Sequence, residues 1–288
     1  KIVFLKNEKP NKRLINDFKE IKNICEKFKI NTLIVDHYFL GISWEKKIKK
    51  HINKLVVIDD FSKKKHNCDL VINNFNKKNN TKIKRLNGLE YIIIPNNRIS
   101  NIERKKKKKR KKLTIGTFFG STDNKNCTER LLKKLSKKKF KDFTFISILG
   151  KNNKKKEKIE KEFEKYGNLH VEKKFIKMKN FFNKIDILIT VGGLTSFEAL
   201  CSNVKCIYVP INYYQKMTCK FLKKNNISKI LSYDKVFSKG GKKLLIHCFK
   251  KISKENHPLK KKYLDDQGSR RIADYILGKE FSKDISVN

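Results

Sequence analysis

Apolar residues along this chain fall into two alternating spacings, and the alternation predicts strand followed by helix through most of its length. Short contiguous apolar runs bounded by polar turns read as strands buried on both faces: 31–35, 55–58, 70–72, 113–119, 143–149, 185–191 and 205–209. Shorter strands are predicted at 1–5 and around 170–171. Between them the apolar positions recur three and four residues apart. The clearest such stretch is 10–29, where Leu14, Ile15, Phe18, Ile21, Ile24, Cys25 and Phe28 share one helical face. Further helices are predicted from about Trp44, from about Cys127, through a charged segment ending near Tyr166, over 177–183, and at the close of the chain within 264–277. Strand–helix alternation implies an α/β protein with parallel sheets covered by helices.

The alternation breaks at Arg104 to Lys112, an uninterrupted basic run. Such a run repels itself and stays solvated, so it predicts a linker. The chain of 288 residues is long enough for two domains that each bury a core. The expected division is 1–103, linker 104–112, 113–278 and a tail 279–288. No apolar run has the length of a membrane-spanning helix and no secretory leader pattern opens the chain, so a cytoplasmic location is expected. The seven cysteines are odd in number and lack zinc-type CxxC spacing, which predicts reduced, mostly buried thiols.

The net charge of +44 invites a nucleic-acid reading, but the kind of cation argues against it. Only eight of the 72 basic residues are arginine, the residue that base and phosphate forks favour. The lysines are spread over every segment and no recognition motif stands out, so no specific nucleic-acid partner is expected.

The most informative stretch is Ile185-Asp186-Ile187-Leu188-Ile189-Thr190-Val191-Gly192-Gly193-Leu194-Thr195-Ser196-Phe197-Glu198. It reads as a buried strand running through two glycines into a helix. Adjacent glycines admit a ligand close to the backbone, and the amides of a helix start suit a diphosphate. Glu198, one turn on, is placed to accept from a ribose diol. The same residues have a plainer reading, because Thr195-x-x-Glu198 is a capping box that would start any helix.

A set of short segments taken in order resembles the UDP-sugar hydrolase family of pseudaminic-acid biosynthesis, relatives of the GT-B glycosyltransferases. They are Ile34-Val35-Asp36-His37-Tyr38, Val56-Val57-Ile58-Asp59-Asp60, His66-Asn67-Cys68-Asp69-Leu70, Phe119-Gly120-Ser121-Thr122-Asp123-Asn124-Lys125-Asn126, the Gly192 to Glu198 motif, Asn212 to Gln215, and Gly268-Ser269-Arg270-Arg271-Ile272-Ala273-Asp274. The resemblance implies a GT-B-like fold of two Rossmann-like parallel-sheet domains and hydrolysis of a UDP-linked 2,4-diacetamido-2,4,6-trideoxy sugar, with no cofactor. Two departures accompany it. Ser121 stands where the family has a glycine, and the Gly-x-Gly-His-x-x-Arg loop that carries the family's catalytic base has no counterpart. The N-terminal domain therefore reads as truncated.

Gly120, Ser121 and Thr122, with Gly192, Gly193, Leu194 and Thr195, are assigned to the diphosphate because both turns follow parallel strands at their carboxyl ends. Glu198 is assigned to the ribose. Asn212 and Gln215 are candidates for the ligand's edge and equally ordinary loop polar residues. Phe175 could cover the uracil, or belong to the core. His37 beside Asp36 is the histidine best placed for acid–base work, with a sugar contact or a structural role as alternatives. Asp59 and Asp60 also end a strand, where one could orient a sugar hydroxyl. His51, His66, His170 and His247 lack metal-ligand spacing, so no metal is expected. Two other functions fit the same residues. One is a UDP-sugar-dependent glycosyltransferase, which shares the glycine–threonine–glutamate pattern; the other is an inactive nucleotide-sugar-binding remnant.

Overall fold

The structure, a computed structural model, describes residues 10–37, 39–60, 65–73, 83–95, 112–172, 177–224, 229–255 and 264–279. The predicted strand at 1–5, the linker residues 104–111, Phe175 and the tail beyond residue 279 lie outside them. The chain divides into two compact units, one ending at Ile92 but rejoined by the chain from Arg270, the other running from Ile93 to Ser269.

The first unit is a parallel sheet of four strands in the order β1 (Thr32–Asp36), β2 (Lys54–Ile58), β3 (Leu70–Asn73) and β4 (Lys84–Asn87). Successive side chains of a strand point to opposite faces, and β2 shows what this does. Its Leu55 and Val57 join Val71, Trp44, Ile48 and Cys25 in one apolar cluster. Trp44 and Ile48 come from α2 (Ile42–Ile48), and Cys25 from α1 (Pro10–Lys27). On the other face Val56 joins Leu70, Ile72, Leu86 and Ile272. Ile272 belongs to α10 (Gly268–Ile276), so the closing helix, expected in the second domain, completes the core of the first. Bonds that hold it there include Lys54 Nζ donating to the carbonyl of Ile276 at 2.7 Å and Arg271 donating to that of Glu90 at 3.0 Å. Strand β1 corrects one expectation. It is expected to be buried on both faces, yet Ile34 is 52% exposed while Val35 is buried: Val35 joins the cluster under α1 and α2, whereas Ile34, paired with Val56, lies outside the cluster that Ile272 of α10 completes.

The second unit carries six parallel strands: β5 (Leu113–Phe118), β6 (Phe143–Ile148), β7 (Leu169–Glu172), β8 (Ile187–Thr190), β9 (Lys205–Tyr208) and β10 (Lys229–Ile230). Their spatial order is β10-β9-β8-β5-β6-β7. Around them lie α3 (Cys127–Leu135), α4 (Lys156–Phe163), α5 (Met178–Lys184), α6 (Leu194–Cys201), α7 (Tyr213–Lys224), α8 (Tyr233–Phe237) and α9 (Gly241–Lys254). The core includes an aromatic cluster in which Phe249 of α9 meets Phe143 and Phe145 with ring centroids 5.4 and 6.1 Å apart. The chain runs outward from β5 to β6 and β7, then returns to place β8 on the other side of β5. This reversal opens a crevice at the carboxyl ends of β5 and β8, where open α/β sheets receive their ligands.

All seven cysteines are free thiols and six are buried. Among the described residues no helix is long and apolar enough to cross a membrane, and no three His, Cys, Asp or Glu side chains gather as metal ligands would.

Candidate functional site

Both glycine turns flank the strand-order reversal. The turn after β5 and the turn after β8 meet in a cleft of about 300 Å³, which the start of α7 closes. Gly120, Thr122, Gly193, Leu194 and Thr195 line it, as do Asn212 and Gln215. Ser121 and Gly192 shape the turns without lining the cleft.

Each turn depends on one glycine with a left-handed backbone: φ is +92° at Gly120 and +91° at Gly192. Only a residue without Cβ adopts such angles without strain. At Gly192 space is also short, since a Cβ there would stand 2.5 Å from Cys219 Sγ on α7. Ser121, the departure from the family pattern, is not among the residues with positive φ, so its side chain is accommodated. Its carbonyl accepts the Asn152 amide at 3.1 Å. Gly150 passes so close that a Cβ on it would strike that same carbonyl oxygen. Gly150 is a supporting residue that sequence reasoning missed; its only signal was a glycine at the end of a predicted strand.

The two helices that leave the cleft differ at their first turns. Asp123 is buried and caps α3: Oδ1 accepts the Cys127 amide and Oδ2 the Thr128 amide, both at 2.8 Å. That helix start is already neutralised by a carboxylate. Helix α6 has no such cap. Its N-cap is Gly193, with no side-chain bond. The capping box read from Thr195 and Glu198 is therefore absent; the helix starts one residue before Thr195, which becomes its second residue. The first amides of a helix have no acceptor within it, and here the positive end of the helix dipole opens on the cleft beside Leu194 and Thr195. The arrangement suits an anion.

Glu198 lies on α6 away from the cleft lining and is fully buried, as are Ser196 and Tyr208. Burial pushes the Tyr208 phenol well above its ordinary range. Asn212 and Gln215 cap α7 reciprocally. Asn212 Oδ1 accepts the Gln215 amide, and Gln215 Oε1 accepts the Ile211 amide, each at 2.9 Å. The structural and the cleft-lining readings thus hold for the same two side chains.

Asp36 and His37 stand at the end of β1 in the first unit, both exposed. His37 Nδ1 accepts the amides of Phe39 and Leu40 at 3.2 Å each. An imidazole that accepts at Nδ1 carries its neutral-form proton on Nε2. Its outward nitrogen is then a donor, which suits a sugar oxygen better than the abstraction of a proton from water. A second histidine site was missed altogether. His66 is buried with Nδ1 2.8 Å from Glu45 Oε1 and Nε2 3.1 Å from Asp59 Oδ2. Bonds to Asp59 and to Glu45 raise its pKa to about 9 against the opposing effect of burial. Asp59 is thus held in place by a cation.

Residues 114–273 match the family described as Glycosyltransferase family 28 C-terminal domain. The uncharacterized protein MJ1062 of Methanocaldococcus jannaschii is 25% identical over 217 residues, which are 69% of this chain and 43% of that protein. This chain therefore spans less than half the length of that relative. Among solved structures, MurG of Acinetobacter baumannii is similar with a TM-score of 0.68 at 14% identity, over 95% of this chain and 81% of that one. The S. aureus MnaA-UDP co-structure is similar with a TM-score of 0.60 at 13% identity, over 98% and 86%. The UDP-GlcNAc 2-epimerase from Neisseria meningitidis bound to UDP-GlcNAc gives 0.58 at 11%, over 96% and 84%. At these identities the likeness is one of fold: an α/β protein with two parallel sheets, of the GT-B-like kind.

Proposed function

The chain belongs to the family of the glycosyltransferase family 28 C-terminal domain, and from that premise we propose that its second unit binds the diphosphate of a UDP-sugar. One observation carries this reading: two left-handed glycine turns meet at the strand-order reversal beside the uncapped start of α6. Backbone amides held in place this way stabilise a leaving diphosphate without reorganising during the reaction. Thr122 and Thr195 supply hydroxyls at the same wall.

The reaction proposed is hydrolysis of a UDP-linked 2,4-diacetamido-2,4,6-trideoxy sugar, as in pseudaminic-acid biosynthesis. Water attacks C1 of the sugar, the bond from C1 to the diphosphate oxygen breaks, and UDP departs with that electron pair. The water's proton goes to a base, for which the exposed carboxylate of Asp36 beside His37 is the candidate in this chain. The order of short motifs from Asp36-His37 to Gly268-Ser269-Arg270 supports this choice. In it His37 and Asp36 serve the sugar; Glu198, which the motif assigns to the ribose, is buried away from the cleft lining and does not reach a ligand there in this conformation. Transfer of the sugar to an acceptor other than water is the second reading, favoured by the family itself.

Calorimetric titration with UDP, beside an assay of UDP release from the diacetamido-altropyranose nucleotide, tests both. Saturable UDP binding with release into water is the expected result, and absence of UDP binding would overturn the reading. Release that needs an added acceptor would establish a transferase, and binding without release under any condition an inactive binding module.

A further inference from the structure

A second cavity, of about 360 Å³, lies in the same unit beside the diphosphate cleft. It sits at the carboxyl ends of β9 and β10 and shares Ile211 with the cleft. Its floor is apolar, formed by Pro210, Cys219, Ile230 and Leu231. Its rim carries three ammonium groups against the single carboxylate of Asp234. Lys216 and Lys220 stand one turn apart on α7, and Lys125 comes from the turn after β5. None of these three lysines has a carboxylate partner among the described residues. Lys125 Nζ lies 5.2 Å from the ring centre of Tyr233, which lines the cavity. The Arg130 guanidinium lies 5.1 Å from the same ring centre and 4.5 Å from that of Phe237.

Lysine is common everywhere on this protein, so the cations alone signify little. Their convergence over a concave apolar floor of ligand size is what distinguishes the place. We infer that this cavity binds a second ligand, a phosphate or carboxylate on a compact apolar body, alongside whatever occupies the diphosphate cleft. The apolar body would rest on Ile230, Leu231 and Cys219 while the anionic head meets Lys216, Lys220 and Lys125. The inference goes beyond the UDP-sugar reading and stands without it.

The test titrates phenyl phosphate and phenylacetate into the full chain by calorimetry, with inorganic phosphate as the control for charge alone. Phenyl phosphate should saturate at one site and bind more tightly than inorganic phosphate. Lys216→Ala/Lys220→Ala should weaken it about tenfold, the loss of one or two charge-assisted bonds. Lys243→Ala/Lys250→Ala, which removes two exposed lysines from α9, should leave it unchanged. Ile230→Phe, which fills the floor without altering charge, should abolish it, and circular dichroism will verify that this variant folds. Saturating UDP should not displace the probe. Equal weakening by both lysine pairs, tight binding in Ile230→Phe, or displacement by UDP would each overturn the inference. A protein that ignores UDP but holds phenyl phosphate in this pattern would sink the UDP-sugar reading alone.

Discussion

His66 and Glu45 share a hydrogen bond of 2.8 Å between Nδ1 and Oε1 inside the first unit, where both side chains are 2% exposed. Asp59 bonds the other ring nitrogen. With the ring charged, the buried His66 imidazolium bridges the buried Glu45 and the partly exposed Asp59, linking α2 to the end of β2. Its pKa is raised from 6.5 to about 9, so its contribution to stability is complete below about 6.5 and is lost as pH rises through about 9. Denaturant unfolding of the first unit should show falling stability over that window. His66→Ala should cost about 3 kcal/mol at pH 6, because Glu45 is left as a buried charge without its counterion. A stability that stays flat from pH 6.5 to 9 would contradict the account.

The second unit has the opposite dependence. Glu129 on α3 is bonded by Lys133 at 2.7 Å and by Lys155 at 3.2 Å, with Lys158 at 3.6 Å. These ammonium groups, Lys133 foremost, hold its carboxyl down to about 2 from 4.5. A depressed folded pKa gives stability that is present above about 4.5 and lost as pH falls toward 2. Glu129→Gln should lower the unfolding free energy at pH 7 by about 1–3 kcal/mol and flatten the acid limb of the profile. An unaltered acid limb in the variant would assign that limb to other carboxylates.

Adjacent glycines in one turn should respond differently to the same methyl group. Gly192→Ala meets both positive φ and Cys219, so a loss of about 1–3 kcal/mol in thermal or denaturant unfolding is expected. Gly193 has φ −94° and nothing within 4 Å of a Cβ. Gly193→Ala should therefore fold normally but weaken UDP binding, since its methyl group would stand over the amides of α6. Retained UDP affinity in this variant would place the diphosphate elsewhere.

Asp123→Ala removes the acceptor for two amides of α3 and should cost about 1–2 kcal/mol. Asp123→Asn keeps one side-chain oxygen and should recover part of that loss. Chemical denaturation of the two variants checks the ordering.

How much of this was legible before folding depended on the range over which each feature is encoded. The glycine turns are local, so Gly120, Gly192 and Gly193 stood out from their neighbours along the chain. The box at Thr195 and Glu198 is local too, but so short that the helix could begin at Leu194 and leave it unused. Strand β4, Lys84-Arg85-Leu86-Asn87, has one apolar residue and is a strand because β3 offers it an edge. The run from α7 to α9 went unread, because lysines obscure the spacing of Cys219, Leu222, Leu245 and Phe249. The His66 cluster joins residues as many as 21 positions apart, which no window along the chain captures. Asp123 was recognised as part of a turn, but its reach to Cys127 and Thr128 appeared only with the backbone in place.

The placement of Ile272 against Val56, Leu70, Ile72 and Leu86 governs the order in which the protein can mature on a ribosome. Synthesis delivers the first sheet early, yet one of its apolar faces lacks its cover until the closing helix has emerged. The second unit has all of its own strands by then. The first unit is thus begun before the second and completed after it, and until then the face formed by Val56, Leu70, Ile72 and Leu86 stays open to water.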